Sequence, residues 1–114
     1  MIVKKMLVGG LIASFSLIAS AGNGTGLVER VLTQSTSDGG RVFFSVGVQN
    51  NAPSCQGGSM DFALDITTAL GRSQYAQVLT AQASGQTLSV TGTNGCETWP
   101  DREAVNFMVV NSSE

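Results

Sequence analysis

The residues best equipped for recognition chemistry stand together in one stretch, Asn94-Gly-Cys-Glu-Thr-Trp-Pro-Asp-Arg-Glu103. Trp99 is the only tryptophan of the chain. An indole ring can stack on the apolar face of a sugar while neighbouring groups engage its hydroxyls, and Thr98, Asp101 and Arg102 offer a hydroxyl, a carboxylate and a guanidinium for that purpose. Such a ring can equally fold back beside Cys96 and cover one end of the fold, because a tryptophan combines a large apolar body with one polar edge. Both uses are open at this stage.

Other chemistry is poorly supplied. The chain has no histidine, and its only lysines are Lys4 and Lys5. The usual general bases and activated nucleophiles are therefore missing from everything that follows those two residues, and no enzyme is expected. Asp61 and Asp65 alternate with apolar neighbours and fall on one face of a strand, about 13 Å apart along it. That is wider than either pair of glycosidase carboxylates, so two solvated aspartates are expected. Glu97, Asp101 and Glu103 could offer oxygen ligands to calcium, but their spacing matches no loop motif. Neither a metal nor a cofactor is expected.

Residues 1–21 read as a cleavable export signal. Lys4 and Lys5 precede an apolar run from Met6 to Ile18, and Ala19-Ser20-Ala21 fits the small-x-small cleavage rule, placing the start of the mature chain at Gly22. The apolar run is shorter than the roughly 20 residues needed to span a bilayer. Removal of the leader leaves four arginines against eight carboxylates. An acidic domain of this kind is a poor partner for nucleic acid or an anionic membrane, because phosphate neutralisation dominates such binding. The expected location is the periplasm or the medium, and the expected organisation is one domain over residues 22–114. Export permits a disulfide. Pairing Cys55 with Cys96 within the chain is the preferred arrangement, with intermolecular pairing or free thiols as the alternatives.

The elements that position these residues can be read from the pattern. Gly22 to Gly26 is expected to be a flexible entry. Strand one runs from Leu27 to Gln34 with Val28 and Leu32 on one face, and Asp38-Gly39 marks the following turn. Strand two covers Arg41 to Gln49, with Val42, Phe44, Val46 and Val48 on one face. Strand three alternates from Met60 to Leu70. Gly71-Arg72 breaks it, Ser73 can cap a helix over Gln74 to Ser84, and Gly85 stands at the C-cap position. Tyr75, Val78 and Leu79 form the apolar stripe of that helix. Its opposite face, Gln74, Gln77, Thr80, Ala81 and Ser84, is uncharged, which suits either packing against another helix or plain solvation. Strand four is Gln86 to Thr93, and strand five is Ala104 to Asn111 with Val105, Phe107 and Val109 inward. The expected core joins Phe62, Leu64 and Ile66 to Phe44, Val46, Leu88, Val90 and Phe107.

Three strands, a helix and a final pair of strands give a mainly β fold with the order β-β-β-α-β-β. That is the connectivity of the OB-fold, a five-stranded Greek-key barrel. In this fold strand three lies parallel to strand five, which brings the two cysteine-bearing loops to the same end. Along Arg41 to Val110 the chain resembles small secreted bacterial proteins built like the B subunits of AB-type toxins. The resemblance rests on the Cys55 loop, on Tyr75-Ala-Gln-Val-Leu-Thr-Ala-Gln-Ala-Ser-Gly85, on Leu88-Ser-Val-Thr-Gly-Thr-Asn-Gly-Cys96 and on Trp99. It implies sugar binding and a homo-oligomeric, five-fold ring. The leading expectation is a secreted or periplasmic binding module for a glycan or a protein surface, with Thr98, Trp99, Asp101 and Arg102 as its binding residues. The alternative is a structural or accessory envelope protein with no small ligand.

Overall fold

The computed structural model describes residues 21–57 and 61–112; Met60 and residues 1–20 of the expected leader lie outside them. The elements are β1 (Asn23–Gln34), β2 (Arg41–Asn50), β3 (Phe62–Asp65), α1 (Ala69–Ser84), β4 (Thr87–Gly92) and β5 (Glu103–Asn111). Neighbouring strands follow the order β1-β2-β3-β5-β4, and β4 pairs back onto β1, so the sheet closes on itself as a barrel. The β3–β5 pair is parallel, as expected, and the other pairs are antiparallel. Cys55 and Cys96 form a disulfide, with their Cα atoms 6.2 Å apart. It ties the loop entering β3 to the loop entering β5. Closing a loop of this length removes unfolded-state entropy worth about 4 kcal/mol on the chain-entropy model.

Val42, Phe44 and Val46 of β2, Phe62 and Leu64 of β3, Leu88 and Val90 of β4 and Met108 of β5 fill the interior. The Phe44 and Phe62 rings stack with centroids 5.7 Å apart. Val78 and Ala81 of α1 join the same cluster, so the helix caps the barrel where β3 ends and β4 begins. Each large apolar side chain buried in this way contributes about 1.5–3 kcal/mol.

The phase of β5 differs from the sequence expectation. Phe107 and Val109 are exposed, whereas Met108 is buried and Val110 packs against the core. The cause is a register shift opposite β4: Thr91 pairs with Phe107 and Gly92 with Val105, leaving Asn106 as an extra residue. A bulge of one residue exchanges the two faces of the strand beyond it. Val105 therefore packs inward before the bulge, and Met108 and Val110 do so after it. The same device acts in β1, where Val28 pairs with Val46 and Arg30 with Ser45, so that Glu29 is extra. Val31 then turns toward the core and Leu32, expected beside Val28, is exposed.

Three boundaries also move. The entry segment expected to be flexible is strand, because Asn23–Thr25 pair with β2 on one side while Asn23–Gly26 pair with β4 on the other. β3 stops at Asp65, whose carboxylate accepts hydrogen bonds from the Thr67 N–H (2.9 Å) and hydroxyl (2.6 Å) and so folds the chain into a turn. Thr68, rather than Ser73, then caps the helix by accepting from the Gly71 N–H at 2.9 Å. Gly71 is not a breaker. A Cβ there would collide with the Asp65 carbonyl, so glycine lets the first helical turn rest on the end of β3. The buried face of α1 is Gly71, Gln74, Val78 and Ala81. Gln74 and Ala81, expected outside, are thus inside, and the Gln74 amide donates to the Asn106 carbonyl at the bulge (3.3 Å).

These assignments separate two substitutions that the sequence pattern places together. Leu64→Ala should lower the free energy of unfolding by about 2–5 kcal/mol, while Phe107→Ala should cost under about 1 kcal/mol because the ring is already in water. Urea denaturation of both variants measures the difference.

Candidate functional site

The four residues singled out by sequence lie together on the outer wall of the barrel, over β2. Phe43 points outward from β2 and is nevertheless only 4% exposed. The Trp99 ring meets it edge-on, with centroids 5.1 Å apart, and the Arg102 guanidinium lies 5.5 Å from the centre of the same ring. Ala63, the cross-strand partner of Phe43, and Ala104 beside it are buried as well. Trp99 therefore neither covers the barrel end nor projects freely into water. One edge is fixed on Phe43, and the residue keeps partial exposure.

The loop that carries Trp99 is anchored from several sides. Cys96 is held by the disulfide. The Asp101 carbonyl accepts from the Gly57 N–H at 2.8 Å, and the Arg102 N–H donates to the Trp99 carbonyl at 3.2 Å. The Thr98 carbonyl accepts from Arg41 Nε at 3.4 Å. Arg41 also grips Asp38 of the β1–β2 turn through two hydrogen bonds of 3.1 Å and lies 3.3 Å from the Asp65 carboxylate. One side chain thus joins the β1–β2 turn, the end of β3 and the Trp99 loop.

Charge is distributed unevenly across this surface. Asp61, expected to be solvated, is buried and paired with both Arg30 and Arg102. Desolvating a carboxylate is expensive unless cations accompany it, and the two guanidiniums meet that need. Asp101 remains exposed and pairs with Arg102 at 2.5 Å. Hydrogen bonds from Arg41 and then from the Thr36 hydroxyl hold the Asp38 carboxyl at about 2. The Asp65 carboxyl is lowered too, chiefly by its hydrogen bonds from Thr67 and with help from Arg41.

A fifth residue, weighed in the sequence only as an oxygen ligand, has a different role. Glu103 is fully buried at the start of β5. Its Oε2 accepts from the backbone N–H groups of Gly22 and Asn94, both at 2.9 Å, and its own N–H donates to Gln56 Oε1 at 2.8 Å. Gly22 and Gly92 flank the carboxylate so tightly that a Cβ on either would collide with it. An acidic residue at the edge of a polar loop gives no sign of burial in a single sequence. The two glycines are the only hint, and they read as part of a flexible entry and of strand four.

Glu97, Asp101 and Glu103 do not converge: Glu97 accepts from the Thr93 hydroxyl at 3.0 Å, Asp101 faces Arg102, and Glu103 is internal. Among the described residues no group of three His, Cys, Asp or Glu side chains is placed to hold a metal ion. What the surface offers is a rigidly mounted, partly exposed indole beside a hydroxyl residue, an exposed carboxylate and two arginines. Those are groups for binding.

Two measurements test this arrangement. Asp61→Ala removes the buried carboxylate between Arg30 and Arg102, leaving Arg102 with Asp101 as its anion, and should cost about 1–3 kcal/mol in urea denaturation. The depressed Asp38 and Asp65 carboxyls stabilise the fold above their unfolded value of 3.8 and lose that contribution as pH falls below it, the Asp38 share fading toward about 2. In an NMR titration the Asp38 midpoint should lie near 2 and return toward 3.8 in Arg41→Ala. No family model, curated protein or solved structure matches this chain, and the function must be argued from the geometry.

Proposed function

We propose that this chain is an exported OB-fold binding module whose ligand is a glycan, held against the outer wall of β2 and β3 by the Trp99 loop. The observation that carries this reading is the position of that loop. OB-folds take their ligands on the face of strands two and three, between the loops that follow strands one and four. Thr98, Trp99, Asp101 and Arg102 stand on that face, and Arg41 links them to the β1–β2 turn. Such faces receive oligonucleotides or oligosaccharides. The excess of carboxylates over arginines disfavours a polyphosphate and leaves the sugar. The disulfide and a composition without histidine agree with an extracytoplasmic binding role in the manner of toxin B subunits. No helix among the described residues is long and apolar enough to cross a membrane.

A second feature favours assembly into a homo-oligomer. Val48, Thr25, Ser89 and Val109 are successive cross-strand partners, and Phe107 pairs with Thr91 in the adjoining row. Val48, Phe107 and Val109 are 61%, 55% and 49% exposed. An apolar outer wall of this kind suits contact with another copy, and a ring would multiply weak sugar contacts. The rival reading, a structural envelope protein without a small ligand, is favoured by the edge-on packing of Trp99 on Phe43.

A glycan array probed with the disulfide-bonded protein separates the two. Binding that is lost in Asp101→Ala and Trp99→Ala, while both variants keep the wild-type circular dichroism spectrum, supports the module. Absence of binding across the array, with Trp99→Ala costing about 3–5 kcal/mol of stability, supports the structural role. For assembly, light scattering on the eluting protein should give a multiple of the chain mass that falls to one chain in Phe107→Glu.

A further inference from the structure

Glu103 is a charged group with too few partners. Its carboxylate is fully buried and receives two backbone N–H groups, both on Oε2, while Oε1 has no hydrogen-bond partner among the described residues. A buried anion solvated by peptide dipoles alone retains most of its desolvation cost, and a formal positive charge is the usual remedy. One of the two donors is the nitrogen of Gly22, 2.9 Å from Oε2. Oε1 is also close to this residue, since a Cβ built on Gly22 meets it directly. Gly22 is buried, whereas Ala21 before it is half-buried. This nitrogen is the one that the sequence marks as the start of the mature chain.

We propose that Glu103 is a receptor for the α-ammonium group of Gly22, generated when the Ala21–Gly22 peptide bond is cut. In that hydrolysis the C–N bond breaks, the hydroxyl of water passes to the Ala21 carbonyl to leave a carboxylate, and the Gly22 nitrogen becomes an amine. The amine takes up a proton from solvent. With an ordinary α-amino pKa near 8, it is largely ammonium at neutral pH. The planar amide offered Glu103 one N–H. The tetrahedral ammonium offers three and a full charge, and rotation about its N–Cα bond lets a second N–H turn toward Oε1, which lies beside Gly22.

The surroundings are shaped for this group. The Gly22 carbonyl accepts from the Gly92 N–H at 2.8 Å, which fixes the nitrogen beside the carboxylate. Side chains are excluded at residues 22 and 92 because Glu103 occupies their space. Gln56 holds the backbone of Glu103 from the disulfide-bearing loop. A peptidase needs an accessible bond, and Gly22 is buried once the barrel has closed. Cleavage therefore precedes closure, and the ion pair forms as the chain folds.

The test exploits the composition. A chain beginning at Gly22 contains no lysine, so its α-amine is the sole target of an amine-reactive ester. Folded protein should label at least about tenfold more slowly than the same protein in denaturant, and labelling at the rate of the unfolded chain would overturn the receptor. Scarless release from a fusion gives chains that start at Gly22 or at Ala21. The Gly22 chain should have the higher denaturant midpoint, equivalent to roughly tenfold in the folding constant, the margin of a charge-assisted over a neutral hydrogen bond. In Glu103→Gln that advantage should vanish, and its persistence would refute a role for the carboxylate. Should Glu103→Gln fail to fold, Nα-acetylated Gly22 protein serves instead and should match the chain that retains Ala21. Intact mass of the exported protein reports the cleavage point separately: a start other than Gly22 refutes the maturation step even where the recombinant chains show the pair.

Discussion

The barrel is organised around a carboxylate that has no contact with water. Glu103 draws the start of β1, the chain after β4 and the loop before β3 to a single point, through Gly22, Asn94 and Gln56. An apolar residue there would leave the Gly22 N–H buried without an acceptor, a loss of about 1–3 kcal/mol, and would take the acceptor from the Asn94 N–H as well. The fold thus uses one ionised side chain to satisfy backbone at the place where its closing strands meet. The opposite end is handled differently. There α1 lies across the opening with Val78 and Ala81 in the core, and Gln74 occupies the carbonyl that the bulge in β5 frees.

The order of elements, the parallel pairing of β3 with β5, the disulfide and most core positions of β2, β3 and β4 were legible in the sequence. Each depends on regular alternation or on the fixed relation between order and neighbourhood. The phase of β5 was not legible, because Val105, Phe107 and Val109 alternate perfectly until an unpaired Asn106 reverses them. Leu32 misled in the same way after Glu29. The helix start was obscured by two residues with dual meanings: Gly71, a usual breaker, serves close packing, and Ser73, a usual cap, lies within the second turn. At the candidate site the sequence grouped Thr98, Trp99, Asp101 and Arg102 correctly in space but gave no sign of what lay beneath them. Phe43 reads as an outward residue, and only the return of a distant loop makes it buried.

That outer contact changes how the wall should be viewed. Phe43, Ala63 and Ala104 form a thin second apolar layer outside the barrel, roofed by Trp99 and Arg102 and bordered by the buried Asp61. Edge-to-face aromatic pairs and a cation over a ring add modest energies, each about 0.5–1.5 kcal/mol. Their larger effect is to fix the orientation of the indole before any ligand arrives. Preorganisation of that kind reduces the entropy lost on binding. The edge that packs on Phe43 fixes the orientation of the face left open to solvent.

The double pairing of Asn23–Thr25 sets an order of events. A chain made from its N-terminus presents β1 and β2 first, and their antiparallel hairpin has every partner it needs close at hand. The other side of the same three residues waits for Ser89–Thr91, which lie more than 60 positions later. Cys55 likewise waits 41 residues for Cys96. Long-range pairings of this kind form slowly and leave strand edges unprotected until they do. The earliest segment to emerge is thus among the last to be completed, and through that interval the β1 edge is the part of the molecule most open to pairing with the wrong chain.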